Sequence, residues 1–465
     1  MAFIDGTAVN VALPALQSSL HATISEVQWV VEAYTLLLGA LLLTGGSLGD
    51  LFGQRKVFGL GVAVFAVACV WCGLAPDITQ LIVARAVQGV GGAMLVPCSL
   101  AWLSVSFDRA QLGRAIGIWS GFTSITSALG PLLGGLLAQH ESWRWVFFIN
   151  VPIAVIVLGI VIWRTPQTEG APVNASVDWL GALLTTVGLG AIVYGFLESS
   201  TAVGLIGVAA LVAFLLVEVR GQSPMLPLSI FQSKDFSGAC LLTLFVYGAL
   251  SGALFFFPLN LVQVQGYSES AAGAALLPFI LLIAILSRWS ASLVERYSAR
   301  TLLIAGPLIA AAGFVLFCLP SVGGSYWVTF FPAVTVLGLG MAVTVDPQTT
   351  TVMGSVEEKR VGIASGINNA TSRVAGLISI ALFGLLLRVV FSDHLDRSLG
   401  SLQAASTEAG KLRSTLAVND VAGNLRRVAN DSFVAGFRVL MWVSAGCAAA
   451  GAASSFALIG RRKPR

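Results

Sequence analysis

Apolar runs of about twenty residues, divided by short polar breaks, recur along the whole chain. An α-helix needs about 20 mainly apolar residues to cross the hydrocarbon core of a bilayer. Read this way, the pattern predicts fourteen spans. Six lie near 1–20, 27–49, 57–75, 79–105, 112–138 and 143–163, and two near 178–198 and 202–219. The last six lie near 236–263, 270–293, 301–320, 326–351, 361–390 and 433–460. The expected fold is an all-α polytopic membrane protein.

Composition agrees with the pattern. The 465 residues are 56% hydrophobic and 10% charged, and mean hydropathy is +0.88. Soluble domains carry roughly 25% charged residues, and a charge content this low would leave a water-facing exterior uncovered. Contact with the lipid bilayer removes that demand. The 50 glycines suit helices that approach closely within a membrane. Cys69, Cys72, Cys98, Cys240, Cys318 and Cys447 all fall in apolar runs. Cys69 and Cys72 form a C-x-x-C, but no second pair or nearby histidine completes a metal or redox site. His21, His140 and His394 are scattered over expected loops.

The basic residues set an orientation. Arg55, Lys56, Arg109, Arg114, Arg164, Arg220, Lys234, Arg296, Arg300, Lys359 and Arg360 fall on one set of connections, with a tail of Arg461, Arg462, Lys463 and Arg465. The short connections of the other set carry essentially Arg144 alone. Cytoplasmic loops are the Lys/Arg-rich ones, so both termini are expected in the cytoplasm, in a cell inner membrane. The scatter over short loops is not a nucleic-acid footprint. The start of the chain lacks a basic leader and reads as no cleavable signal. A polar connection near 392–432 falls on the outer side and is long enough to escape the charge rule.

The segment Gly46 to Lys56 is echoed, loosely, by Ala291 to Arg300. Repeated halves are common in secondary transporters. The expected organisation is a six-helix bundle over 1–163, two extra spans with linkers over 164–222, and a second six-helix bundle over 223–465. Almost no chain precedes Asp5 on the first span, and span length predicts a missing leading segment of roughly 10–20 residues.

Four segments carry chemistry. In Gly46-Ser47-Leu48-Gly49-Asp50-Leu51-Phe52-Gly53-Gln54-Arg55-Lys56, glycines permit a tight turn, and an acid beside basic residues can latch one conformation. In Arg85-Ala86-Val87-Gln88-Gly89-Val90-Gly91-Gly92-Ala93, an arginine sits inside an apolar span, where a charge is costly and rarely idle. In Gly130-Pro131-Leu132-Leu133-Gly134-Gly135, proline removes a backbone donor and glycines make a smooth groove. The fourth is Asp5-Gly6-Thr7-Ala8-Val9-Asn10-Val11-Ala12-Leu13-Pro14.

These segments, in this order, resemble the major facilitator superfamily, and within it the fourteen-helix drug:proton antiporter family. Gly46, Leu48, Asp50, Gly53, Arg55 and Lys56 fit the superfamily's loop signature, with Leu51 where an arginine is usual. Further matches run through Gln28 to Tyr34, Trp143 to Pro152, Asp178 to Gly181, Pro224 to Leu228 and Gly362 to Asn369. The resemblance implies two six-helix bundles with two additional central helices. It also implies that Gly46, Asp50, Gly53, Arg55 and Lys56 form a conformational gate. Gly130, Pro131, Gly134 and Gly135 match the antiporter motif, which implies export.

A proton-driven exporter needs a membrane carboxylate that can take up a proton. Asp5, Glu32 and Asp346 lie inside apolar spans. Asp5 and Glu32 are the expected proton and cation sites, Arg85 a modulator, and Asp346 a further proton-coupling or substrate-binding candidate. Asp178 reads as the start of a helix. Trp29, Tyr34, Trp119 and Phe122 are candidates for an apolar pocket. Arg288 sits near a span end and Arg373 matches an arginine of the resembled family.

The expected partners are protons and a small amphipathic substrate, with no cofactor and no metal. No residue specifies a periplasmic or outer-membrane adaptor. An enzyme is not expected, since no nucleophile–base set is present, and no phosphate-binding loop supports an ATP-driven pump. A dedicated exporter of one metabolite and a non-transporting receptor-like membrane protein are the alternatives.

Overall fold

The computed structural model describes residues 1–106, 122, 126, 129–164, 178–220, 226–357, 361–399, 412, 413, 416 and 423–460. Arg109, Arg114, Trp119, Lys359, Arg360 and the basic tail from Arg461 lie outside them, as does the side chain of Arg288.

The described residues are helical, with no strand among them. The helices are α1 (Ala2–Leu20), α2 (Ile24–Ala40), α3 (Leu42–Phe52), α4 (Gln54–Leu74), α5 (Ile78–Ser106), α6 (129–140), α7 (Trp145–Phe148), α8 (Asn150–Arg164), α9 (Trp179–Leu197) and α10 (Thr201–Arg220). They continue as α11 (Lys234–Leu259), α12 (Glu269–Ala274), α13 (Leu277–Arg296), α14 (Ala299–Leu316), α15 (Tyr326–Thr329), α16 (Phe331–Gly354), α17 (Val361–Leu399) and α18 (Gly423–Leu458). A π-turn over Asn260–Val264 prolongs α11.

Local chemistry starts several of these helices where the sequence places them. Thr23 and Glu26 form a reciprocal capping box at α2: Glu26 Oε2 accepts from the Thr23 N–H at 2.8 Å, and Thr23 Oγ1 accepts from the Glu26 N–H at 3.3 Å. Asp178 caps α9 as expected, accepting from the Gly181 N–H at 2.8 Å. Ser233 and Ser298 cap α11 and α14 in the same way.

Ten of the described helices are long and apolar enough to cross a membrane, or eleven when α2 and α3 count as one span bent by 47°. Fourteen spans were expected. Much of the 112–138 region lies outside the described residues, and the polar side chains of α1 and α16 lower their hydropathy. Large apolar side chains stand outward on the spans, among them Trp163, Val67, Leu205 and Ile285. That is the surface a lipid-embedded exterior calls for.

The chain divides into two compact units, one of residues 1–9 and 28–228, the other of residues 10–27 and 229–465. In the first unit, α9 and α10 form a close antiparallel pair. A Cβ on Gly207 would fall 2.7 Å from the Gly188 carbonyl oxygen, and one on Gly195 would fall 2.8 Å from the Gly204 Cα. Small residues let the two backbones approach.

In the second unit, Gln348 Nε2 donates to Thr243 Oγ1 at 2.6 Å and to Asn368 Oδ1 at 2.9 Å, tying α16 to α11 and α17. Helix α17 runs to Leu399 and α18 begins at Gly423, so both ends of the polar 392–432 connection are helix. Phe391 and Leu395, one turn apart, are fully buried, and His394 Nδ1 lies 3.0 Å from Ser432 Oγ across the two helices. An apolar stripe on a polar helix is enough to continue it past the apolar run.

Candidate functional site

Three helices of the first unit meet around Asp5. Helix α5 is drawn in by its glycines. A Cβ on Gly89 would lie 2.6 Å from the Tyr34 carbonyl oxygen, and one on Gly91 would lie 2.7 Å from the Phe65 backbone nitrogen. Any larger residue there would hold α5 off α2 and α4. On the opposite flank of α1, a Cβ on Gly130 or Gly134 of α6 would overlap Thr7 or the Ala8 carbonyl. Pro131 and Gly135 are buried beside them.

This packing brings Arg85 and Gln88, one turn apart on α5, onto the Asp5 carboxylate. Arg85 Nη1 pairs with Asp5 Oδ2 at 2.5 Å, and Gln88 Nε2 donates to Asp5 Oδ1 at 2.9 Å. Arg85 Nη1 also donates to Gln88 Oε1 at 2.6 Å, and Arg85 Nε to the Val30 carbonyl of α2 at 2.9 Å. The guanidinium lies 4.2 Å from the Tyr34 ring centroid and 5.7 Å from that of Phe147, a cation–π arrangement. Asp5 and Gln88 are 0% exposed and Arg85 1%. A buried charge persists only when paired and hydrogen-bonded, and here both partners have several such bonds.

Glu32, on the neighbouring α2, is also fully buried. Val30 and Tyr34 both meet Arg85, and Glu32, two residues from each, projects from the opposite side of α2 at 100° per residue. Asp346 belongs to the other unit, half-buried on α16 and within electrostatic range of Tyr247.

The signature loop closes α3 and opens α4. Gly53 has φ +91°, a conformation that favours glycine. Gly46 lies in ordinary contact with Pro97. Asp50 is exposed and accepts from Gln54 Nε2 at 2.8 Å, and Lys56 is exposed. Arg55 donates to the carbonyls of Val161 and Ile162 at 3.1 and 3.0 Å, capping the C-terminus of α8. Its counterpart in the repeat, Arg300, donates to the Phe456 carbonyl near the end of α18. Just past the C-terminal ends of α4 and α14, Ala75 O accepts from Arg144, before α7, at 3.0 Å and Pro320 O accepts from Arg438, in the middle of α18, at 3.2 Å. The repeat thus reaches further than the two aligned segments: in each unit arginine bonds link both ends of the first helix to the antiparallel stretch beside it, α4 to α7–α8 and α14 to α18.

Several participants were not expected from the sequence. Gln88 lies within the Arg85–Ala93 motif, and its spacing of three from Arg85 is the signal that places it on the same face. Cys69 and Cys72, read as inert, border Gln88. Tyr34, read as a pocket aromatic, stacks on Arg85. Of the other pocket candidates, Trp29 lies 6.4 Å from the Tyr194 ring and Phe122 is exposed. Glu218 of α10, only 3% exposed, accepts from the Leu226 N–H at 3.1 Å. Its signal in the sequence is an acid at the end of the apolar run near 202–219.

A multi-pass helical membrane protein with a buried charge network in its spans has the build of a transporter. The family model of the Major Facilitator Superfamily matches residues 1–380, and the chain belongs to that superfamily. It is similar to a tetracenomycin C resistance and export protein of Streptomyces glaucescens, at 33% identity over 97% of this chain and 88% of the relative. A puromycin resistance protein of Streptomyces alboniger is 34% identical over 95% and 88%. A methylenomycin A resistance protein of Bacillus subtilis is 33% identical over 84% and 85%. Among solved structures, a bacterial homologue of the human lysosomal transporter Spinster shares the fold, with TM-score 0.68 at 18% identity, covering 98% of this chain and 93% of that one. The protein is a membrane transporter and not an enzyme.

Proposed function

We propose that this transporter is a proton-coupled antiporter that exports small amphipathic compounds, antibiotics among them, across the cytoplasmic membrane. In this reading it has fourteen spans and both termini in the cytoplasm, and protons are the driving partner. The observation that carries it is the fully buried Asp5–Arg85 pair with Gln88 on the same carboxylate. Ionisable groups inside a membrane span are expensive, and such groups serve as proton relays. The names of the resistance relatives support the direction of transport.

In the cycle proposed, a substrate binds from the cytoplasm while the carboxylates are ionised. Outward opening exposes one of them to the more acidic side. Protonation weakens substrate binding and favours return. Only differential affinity between the two states drives such a cycle. Asp5 takes the proton, Arg85 modulates it, and Glu32 and Asp346 meet the substrate or its cation. The Gly46–Lys56 loop acts as the conformational gate, and the glycines of α6 supply the packing that antiport requires.

The test is substrate-induced proton release in everted vesicles, comparing wild type with Asp5→Asn and Glu32→Gln. Coupling unchanged in both variants would overturn the site assignment. A second reading, a dedicated exporter of one compound, is favoured by relatives named for single antibiotics. A transport panel in proteoliposomes separates the two: several unrelated substrates support the first, one alone the second.

A further inference from the structure

Gln88 uses every hydrogen-bonding position it has. Its Nε2 donates to Asp5 Oδ1 at 2.9 Å and to Cys69 Sγ at 3.1 Å, while its Oε1 accepts from Arg85 Nη1 at 2.6 Å and from Cys72 Sγ at 3.8 Å. An ionised Asp5 only accepts and Arg85 only donates, so together they fix which end of the amide faces which partner. Cys69 and Cys72 are 0% exposed and carry free thiols. A thiol both donates and accepts weakly, so it bonds either end of an amide.

Both Asp5 oxygens receive an N–H: Oδ2 from Arg85, Oδ1 from Gln88. A proton arriving on the lone pair that either N–H occupies meets a donor already in place. If it binds Oδ1, the conflict is removed when the amide turns over. Oε1 then accepts from the new Asp5 O–H and from the Cys69 S–H, and Nε2 donates to Cys72 Sγ. The turned Nε2 also confronts Arg85 Nη1, donor against donor, and displaces the guanidinium from a carboxyl that has lost its charge. The proton leaves a hydronium ion of the aqueous phase, breaking one O–H bond there and forming one on Asp5; no other covalent bond changes.

We propose that Gln88 is a proton-driven amide switch in which Cys69 and Cys72 are positioning residues that accept either orientation. The inference rests on Asp5 being the protonated carboxylate of the proposed function. Among the described residues, the titratable and charged groups that face Asp5 are Arg85 from α5 and Cys69 and Cys72 from α4, while Tyr34 from α2 faces the Arg85 guanidinium. Of these, the two thiols alone border both ends of the amide.

The experiment is infrared difference spectroscopy of the full-length protein in lipid across a pH titration, read at the carboxyl and S–H stretching bands. The Asp5 band is assigned by its loss in Asp5→Asn, and the thiol bands by their loss in Cys69→Val and Cys72→Val. The expected result is an S–H shift that titrates together with the Asp5 band and disappears in Gln88→Leu. In transport, the Cys69→Val/Cys72→Val double variant is expected to move the pH midpoint by about one unit, the scale of one lost hydrogen bond. The two serine replacements, which keep a group that donates and accepts, restore it. An Asp5 band that titrates while the S–H bands stay fixed overturns the switch and spares the proposed function. An Asp5 band that never titrates overturns both. If the double valine variant does not fold, the serine variants and the Gln88→Leu spectra still decide.

Discussion

Arg85 Nη1 lies 2.5 Å from Asp5 Oδ2, with the two side chains 1% and 0% exposed. The pair joins α1 to α5 across 80 residues of sequence, and it makes each charge depend on the other. Removing one partner of a buried pair leaves the other uncompensated and costs about 3–5 kcal/mol, whereas replacing both can be nearly neutral. Asp5→Asn and Arg85→Met are therefore each expected to lower the melting temperature of the purified protein strongly. The double variant should melt higher than either single one. Additive losses would show that the pair does not act as a unit.

Glu32 should behave differently, because it projects from the side of α2 away from Arg85. Glu32→Gln is expected to lower the melting temperature less than Asp5→Asn, since the Asp5–Arg85 ion pair stays intact, and to reduce transport of cationic substrates more than of neutral ones. Equal loss for both classes would remove Glu32 from substrate recognition.

The glycines of α6 give a steric prediction. Gly130→Ala and Gly134→Ala place a methyl group against Thr7 and the Ala8 carbonyl, so α1 and α6 must separate. Overpacking of this kind costs about 1–3 kcal/mol, and transport should fall with it. Gly6→Ala on α1 is the control, because a Cβ there meets nothing within 4 Å among the described residues. If Gly6→Ala and Gly134→Ala impair transport equally, close α1–α6 packing is not what the motif provides.

Arg55 and Arg300 are predicted to act as matched helix-end caps. Arg55→Ala would free the Val161 and Ile162 carbonyls at the end of α8. Hydrogen exchange there should quicken by roughly tenfold, as a loss of about 1.4 kcal/mol implies. Arg300→Ala should do the same at the end of α18. Exchange that rises over the whole chain instead would argue for global destabilisation rather than lost caps.

Much of this was legible in the sequence because a membrane span is a local property. Twenty apolar residues satisfy their own backbone hydrogen bonds in any context, and caps such as Asp178 and the Thr23–Glu26 box act within four residues. The weak repeat was legible too, but its meaning was not: Arg55 and Arg300 align in the chain, while the carbonyls they bind lie 106 and 156 residues away. Asp5, Glu32 and Arg85 stood out as charges in apolar runs, which burial alone makes conspicuous.

Which of them belong together was decided by tertiary structure. Asp5 meets Arg85 and Gln88 because Gly89 and Gly91 let α5 close on α2 and α4, and the turn of α2 that offers Val30 and Tyr34 to Arg85 points Glu32 elsewhere. Hydrophobic pattern fixes that a helix spans, since every lipid-facing residue reports the same solvent. The pairing of helices depends on side-chain fit between segments far apart in the chain, so the inert-looking thiols of Cys69 and Cys72 acquired partners only once α4 and α5 were packed.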